Sequence, residues 1–430
     1  MAIIPLTHVC RYWRESIVST PQNWKTISNF QRNLLEVSLE RAKSALLEIH
    51  LDMDGIREDP QFFDLLVPHF QNTEILLVTE LSTIEDLLPI SQHPLTNLRS
   101  LILDGRGAIS RERSIDPFKS STHPLRYLEL CGVPLYPSFL NLRTLTGLDL
   151  RDAVCNLHLD TILDFLEENH SLTSVELGIQ FTHSSLRSSR RRAPIQNQLR
   201  YLWIGSKNVM DIQALISSIA LSKGAKLEFR CIGNAGVHSV LSSISTTHLS
   251  NLLSPIFMSY RVLPRIIELR GPNGTASFDG FGDSSTPFVE FPQLPLATVR
   301  QFRLDRSRWD KFNPPPDSIL FGHLTSFPAL ETFIVQDIDL PHLLSTLLVD
   351  PSVSPSLRTL AFSDCNLTEE FMEGLTRFAS DRKKTTSAWL HRVAITHRDG
   401  ILPSTASIRE LEKQVPVVDV RIEEGPPLDL

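Results

Sequence analysis

A chain of 430 residues exceeds the size at which one compact core stops growing, so it divides into domains or repeats. Its 41% hydrophobic and 21% charged residues are those of a globular protein and exclude bulk disorder. A formal charge of -7 argues against nucleic acid as a partner, and five scattered cysteines with no Cys-x-x-Cys pair fit neither a disulfide framework nor a zinc site. The amino terminus lacks the basic and apolar regions of a signal peptide, and no run approaches the roughly 18 to 20 apolar residues of a membrane span. These features predict a cytoplasmic or nuclear protein with no membrane partner.

The first element is an amphipathic helix. Leu6, Val9, Cys10, Trp13 and Ile17 share one face, and Arg11, Arg14 and Glu15 take the other. It should end near Ser19, because Thr20 precedes Pro21. Thr20 is placed to cap a second short helix that has Pro21 as its first residue, which puts Trp24 and Ile27 on a shared face and brings Trp13 and Trp24 together.

The Val9-Cys10-Arg11-Tyr12-Trp13-Arg14 helix and the Thr20-Pro21-Gln22-Asn23-Trp24 turn together resemble the second half of an F-box. The continuation Leu39-Glu40-Arg41-Ala42-Lys43-Ser44 and Leu47-Glu48-Ile49-His50-Leu51 is similar to the segment that follows this module in large fungal F-box families. The family's module opens with a Leu-Pro-x-Glu helix, which this sequence begins too late to contain. The resemblance implies that Leu6, Val9, Cys10, Trp13, Arg14, Pro21 and Trp24 form the F-box core or the surface for a Skp-family adaptor, with a cullin ligase complex behind it. Residues 1–45 are accordingly assigned to a partial F-box and linking helix.

From residue 46 onward one phrase returns, Leu-x-x-apolar-x-apolar: Leu98 to Leu103, Leu125 to Leu130, Leu145 to Leu150, Leu172 to Leu177, Leu199 to Ile204, Leu330 to Val335 and Leu357 to Phe362, with fainter copies at Ile266 to Leu269 and Val299 to Leu304. The spacing wanders around the roughly 20 to 29 residues of leucine-rich repeats. In such a phrase a short strand alternates its side chains, so the last two apolar positions point into a core that one strand alone cannot close. Stacking strands in parallel, each returned by an outer helix, completes that core. The helical stripes Leu159-Ile162-Leu163-Leu166, Ile212-Leu215-Ile216-Ile219 and Phe371-Met372-Leu375-Phe378 supply the returns, the last capped by Thr368. The passage Leu357 to Thr368 resembles the cysteine-type leucine-rich repeat of F-box proteins, in which Cys365 would be a buried turning residue. Ser407 to Glu410 has capping-box spacing and opens a helix before a strand at Val417 to Ile422.

Three stretches break the pattern. Gly271 to Pro295 and Asn313 to Ser318 read as loops, the first a loop insertion, and Ser188 to Arg192 as a basic surface loop. No phosphate-binding glycine loop, metal helix or nucleophile elbow occurs, so neither catalysis nor a cofactor is expected. The predicted fold is α/β: a small helical partial F-box, then a leucine-rich-repeat-like solenoid over residues 46–430, with a curved parallel sheet and outer helices. On that register Tyr127, Glu129, Asp149, Arg151, Glu176, Tyr201 and Trp203 face outward and are the target-binding candidates. The expected function is substrate recognition in a Skp/cullin/F-box ubiquitin ligase, with an unidentified target protein. The alternatives are a repeat scaffold without ligase coupling and an enzyme with a deep pocket.

Overall fold

The computed structural model describes residues 10–29, 34–105, 124–135, 137–154, 159–179, 195–196, 198–206, 209–220, 224–233, 257–261, 266–271, 274–281, 296–305, 324, 327–336, 354–385, 389–397 and 402–422. The chain forms two compact units, Met1–Ile204 with Ser218–Ser222, and Gly205–Ser217 with Lys223–Leu430.

In the first unit, helix α1 (Arg11–Ser19) and a 3-10 turn (Pro21–Trp24) lead into strand β1 (Thr26–Ser28). Then come α2 (Leu35–Ala42), β2 (Leu47–Asp52), α3 (Met53–Glu58), α4 (Pro60–Leu66), β3 (Thr73–Leu81), α5 (Leu88–Ser91), β4 (Ser100–Gly105), β5 (Tyr127–Pro134), β6 (Gly147–Val154), α6 (Leu159–Glu168), β7 (Ser174–Ile179), β8 (Ile195–Gln196) and β9 (Tyr201–Ser206, of which Tyr201 to Ile204 belong to this unit), with β10 (Ile219–Ala220) parallel to β8. Strands β1 to β7 pair in chain order, each parallel to the next. The register sets Ile27, Ile49, Leu76, Leu101, Leu128, Leu148 and Val175 side by side, none more than 2% exposed. Burying each such side chain contributes about 1.5–3 kcal/mol relative to leaving it in water, so the row is worth forming only as a row.

Strands β5, β6, β7 and β9 are entered through one repeated hydrogen-bond device. The Arg99 carbonyl accepts from the N–H groups of both Arg126 and Tyr127 at 2.7 and 2.9 Å, the Arg126 carbonyl from Thr146 and Gly147, and the Thr146 carbonyl from Thr173 and Ser174. The Thr173 carbonyl takes Arg200 and Tyr201 in the same manner, which carries the ladder to β9. Parallel neighbours need long crossovers, and the returns bury Phe62 and Leu66 of α4 and Ile162, Leu163 and Leu166 of α6. Asn169, fully buried behind α6, donates to the carbonyls of Leu142 and Phe165 at 2.8 and 3.0 Å and so stitches one repeat to the previous one.

The second unit contains α7 (Val209–Ser217), β11 (Ala225–Gly233), β12 (Phe257–Arg261), β13 (Ile266–Gly271), β14 (Gly274–Phe281), β15 (Gln301–Asp305), β16 (Thr332–Gln336), β17 (Thr359–Ser363), α8 (Glu369–Thr385), β18 (Arg392–His397), α9 (Thr405–Glu412) and β19 (Val417–Ile422). Strands β15 to β19 are parallel, with Phe302, Phe333, Leu360 and Val393 as a continuous buried row. The shared-carbonyl entry recurs at Arg300, Glu331 and Arg358. Thr368 Oγ1 accepts from Phe371 N at 3.2 Å and caps α8, while Cys365 is buried with its thiol against the Ser363 and Val335 carbonyls. The protein is therefore α/β, with long parallel strand runs in an arrangement like that of leucine-rich repeats.

Several expectations need correction. The segment Gly271 to Pro295 is not all loop: Gly274 to Phe281 is strand β14, antiparallel to β13 and parallel to β11. Nor is Ile266 to Leu269 a parallel repeat strand, because β12, β13 and β14 form an antiparallel meander between β11 and β15. The clue was Gly271-Pro-Asn-Gly274, a two-residue connection that only an antiparallel pair can use. Ile219 leaves its helical stripe to join β10. The cap of α9 is Ser404, whose hydroxyl accepts from Ser407 N at 3.2 Å, and not a box opening at Ser407. The sheet's first strand, β1, lies within the segment 1–45. Residues 188–192 and 313–318 lie outside the described residues.

Candidate functional site

Two surfaces carry the residues singled out from the sequence, and both belong to the first unit. At the amino-terminal module Trp24 is buried; its indole N–H donates to the Ile17 carbonyl at 3.0 Å, and the Arg41 guanidinium of α2 lies 4.4 Å from its ring centroid. Lys25 binds Glu48 of β2 at 2.5 Å, with Thr26 Oγ1 on the other carboxylate oxygen at 3.0 Å. These hydrogen bonds hold the Glu48 carboxyl below the usual range and push the Lys25 ammonium up. The start of the sheet is thereby tied to the helical module.

The helix itself departs from the amphipathic reading. Cys10 is extended and exposed at its N-terminus, and Arg14 is exposed. Trp13 is 52% exposed, Tyr12 is 75% exposed, and among the described residues of the expected face only Ile17 turns inward. The two tryptophans therefore do not share a core. Pro21 is half-buried at the first position of the 3-10 turn, Ile27 sits on β1, and the Thr20 hydroxyl donates to the Ser16 carbonyl at 2.7 Å in place of capping. Leu6 and Val9 lie outside the described residues.

The second surface is the sheet face opposite the leucine rows. Register places Ile102, Glu129, Asp149 and Glu176 in one line across β4 to β7. Adjacent parallel strands lie about 4.8 Å apart, so the three carboxylates are neighbours and would repel without a cation. Arg151 supplies it. Its guanidinium forks onto Asp149, with Nη2 at 2.7 Å and Nε at 3.0 Å from Oδ2, and Nε also lies 3.0 Å from Glu176 Oε2. The Asp149 side chain is only 5% exposed beneath it, and the hydrogen bond to Asp149 holds the Arg151 pKa up.

Tyr127 completes the cluster. Its hydroxyl donates to Glu129 Oε2 at 2.8 Å, and burial, followed by that hydrogen bond, raises its pKa. The ring lies across Gly147, where a Cβ would sit 2.7 Å from ring Cδ2. Tyr201 and Trp203 are half-buried on β9, and the shared Thr173 carbonyl places them beside Ser174 and Glu176. Sequence reasoning passed over Ile75, Leu77 and Ile102, half-buried on this same face. Ile102 occupies the outward position of the recurring phrase, Ile75 and Leu77 lie on β3, outside the identified copies of the phrase, and their apolar character was the available signal. The face thus runs from apolar at β3 and β4 to acidic at β5 to β7.

Among the described residues no group of three or more His, Cys, Asp or Glu side chains is placed to hold a metal ion, and no helix is long and apolar enough to cross a membrane. No protein-family model matches this chain, and no curated protein matches its sequence.

Proposed function

We propose that this chain is the target-recognition subunit of a Skp/cullin/F-box type ubiquitin ligase, a non-catalytic F-box protein with degenerate leucine-rich repeats. The observation that carries the reading is the outward pair Tyr12 and Trp13 on a helix whose base is fastened by buried Trp24. Large aromatics held in solvent on an anchored element are the usual energetic anchors of a protein interface. The F-box resemblance names the Skp-family adaptor as the partner for that face. The open face of β3 to β7, apolar at one side and acidic at the other, suits a target that presents an apolar side chain beside a Lys or Arg. A repeat scaffold without ligase coupling is the second reading, supported by the same open face, which binds a protein under either reading.

Adaptor binding separates the two. A purified Skp-family adaptor should be retained by this chain, and Trp13→Ala should weaken binding by about 30-fold, the effect of losing a hot spot of about 2 kcal/mol, with circular dichroism unchanged. A folded wild-type chain that fails to retain the adaptor removes ligase coupling and leaves the scaffold.

A further inference from the structure

We infer that the molecule pairs with a second copy of itself through strand β19, edge to edge and antiparallel about a two-fold axis at Val420. Among the described residues β19 pairs with β18 alone, from Arg392 beside Val417 to His397 beside Ile422. Val417 N–H donates to the His391 carbonyl at 3.2 Å. Residues 417, 419 and 421 therefore turn their backbone groups toward β18, and residues 418, 420 and 422 turn theirs to the other edge.

Proteins ordinarily blunt such an edge with proline, a bulge, a short strand or charges directed along it. Here the edge is six residues of Val-Val-Asp-Val-Arg-Ile. Val418 and Val420 extend the buried row of Val393 and Ile395 but remain half-buried, and Ile422 is 55% exposed. Among the described residues no further strand completes this row.

The pattern of charge selects the occupant. Around a two-fold at Val420, Val420 faces its own copy and Val418 faces Ile422, and these are the residues whose outward N–H and C=O groups can bond. Asp419 then faces Arg421 of the second copy, twice, at the non-hydrogen-bonded positions where side chains lie closest. A two-fold centred on residue 419 or 421 would also pair outward backbone groups, but it would set Asp419 against Asp419 or Arg421 against Arg421 at the closest positions. One centred on Val418 sets Asp419 against Val417. Within one chain Asp419 already accepts from Arg392 at 3.0 Å and Arg421 at 2.8 Å, and a carboxylate has room for further donors. A closed two-fold contact of this kind ends at the dimer and covers both edges.

Sedimentation equilibrium of the full chain at micromolar concentration should give a dimer. Val420→Pro removes an N–H that points away from β18, so it should give a folded monomer. Asp419→Arg and Arg421→Asp should each weaken self-association by roughly tenfold or more. Mixing those two variants should restore a dimer, because a strand with two arginines then faces one with two aspartates. Circular dichroism checks that each variant is folded. A wild-type monomer, a dimer that survives Val420→Pro, or a mixture that fails to associate overturns the inference.

Discussion

Gly178→Ala should lower the stability of the first unit by about 3 kcal/mol or more, the upper range of overpacking effects. A Cβ at this position would lie 1.5 Å from the carbonyl oxygen of Arg151, a backbone atom on the neighbouring strand that no side-chain rotation can move. Arg151 and Gly178 follow Leu150 and Leu177, the last register pair of β6 and β7, and the Arg151 side chain bonds Asp149 and Glu176. Gly178 is thus needed where the two strands approach. Urea denaturation followed by tryptophan fluorescence reads the effect, and a midpoint equal to wild type would contradict this close approach.

Trp24→Ala should cost about 3–5 kcal/mol, the range for removing a buried aromatic side chain. The substitution leaves a cavity between α1 and α2, leaves the Ile17 carbonyl with only the 3.3 Å bond from Asn23 Nδ2, and removes the ring on which Arg41 stacks. In a repeat-like array each element leans chiefly on its neighbours, so the loss should stay local. Hydrogen exchange should accelerate across Arg11 to Trp24 while β5 to β7 keep wild-type protection. Trp13→Ala, at an exposed position, should leave both segments unchanged. If Trp24→Ala leaves exchange in α1 unaltered, the module is not fastened as described.

The core was legible because the recurring phrase encodes period two directly: its leucines became the buried rows, and Tyr127, Glu129, Glu176, Tyr201 and Trp203 came out on the other face of the sheet. Arg151 lies on that face too, whereas Asp149, assigned to the same face, is buried under its guanidinium. That pairing depends on which strands become neighbours across insertions of unequal length, and a single phrase does not contain it. The amino-terminal helix shows a different limit. A 3.6-residue stripe marks apolar residues but does not distinguish a face destined for the core from one left in solvent, and Trp13 is the latter. Strand β14 escaped because Gly274-Thr-Ala-Ser-Phe-Asp-Gly-Phe281 has little intrinsic strand preference. Its pairing on both sides with β13 and β11 overrides composition.

The buried rows depend on strands lying parallel in the stated register, and thiol cross-linking measures that directly. With accessible native cysteines replaced by serine, the pair Ala361→Cys and Ala394→Cys should oxidise readily, since these positions are register partners on β17 and β18 and about 4.8 Å apart, within disulfide reach. Ala361→Cys with Thr396→Cys, two residues out of register and about 8 Å apart, should not. Preferential cross-linking of the second pair would contradict the parallel register.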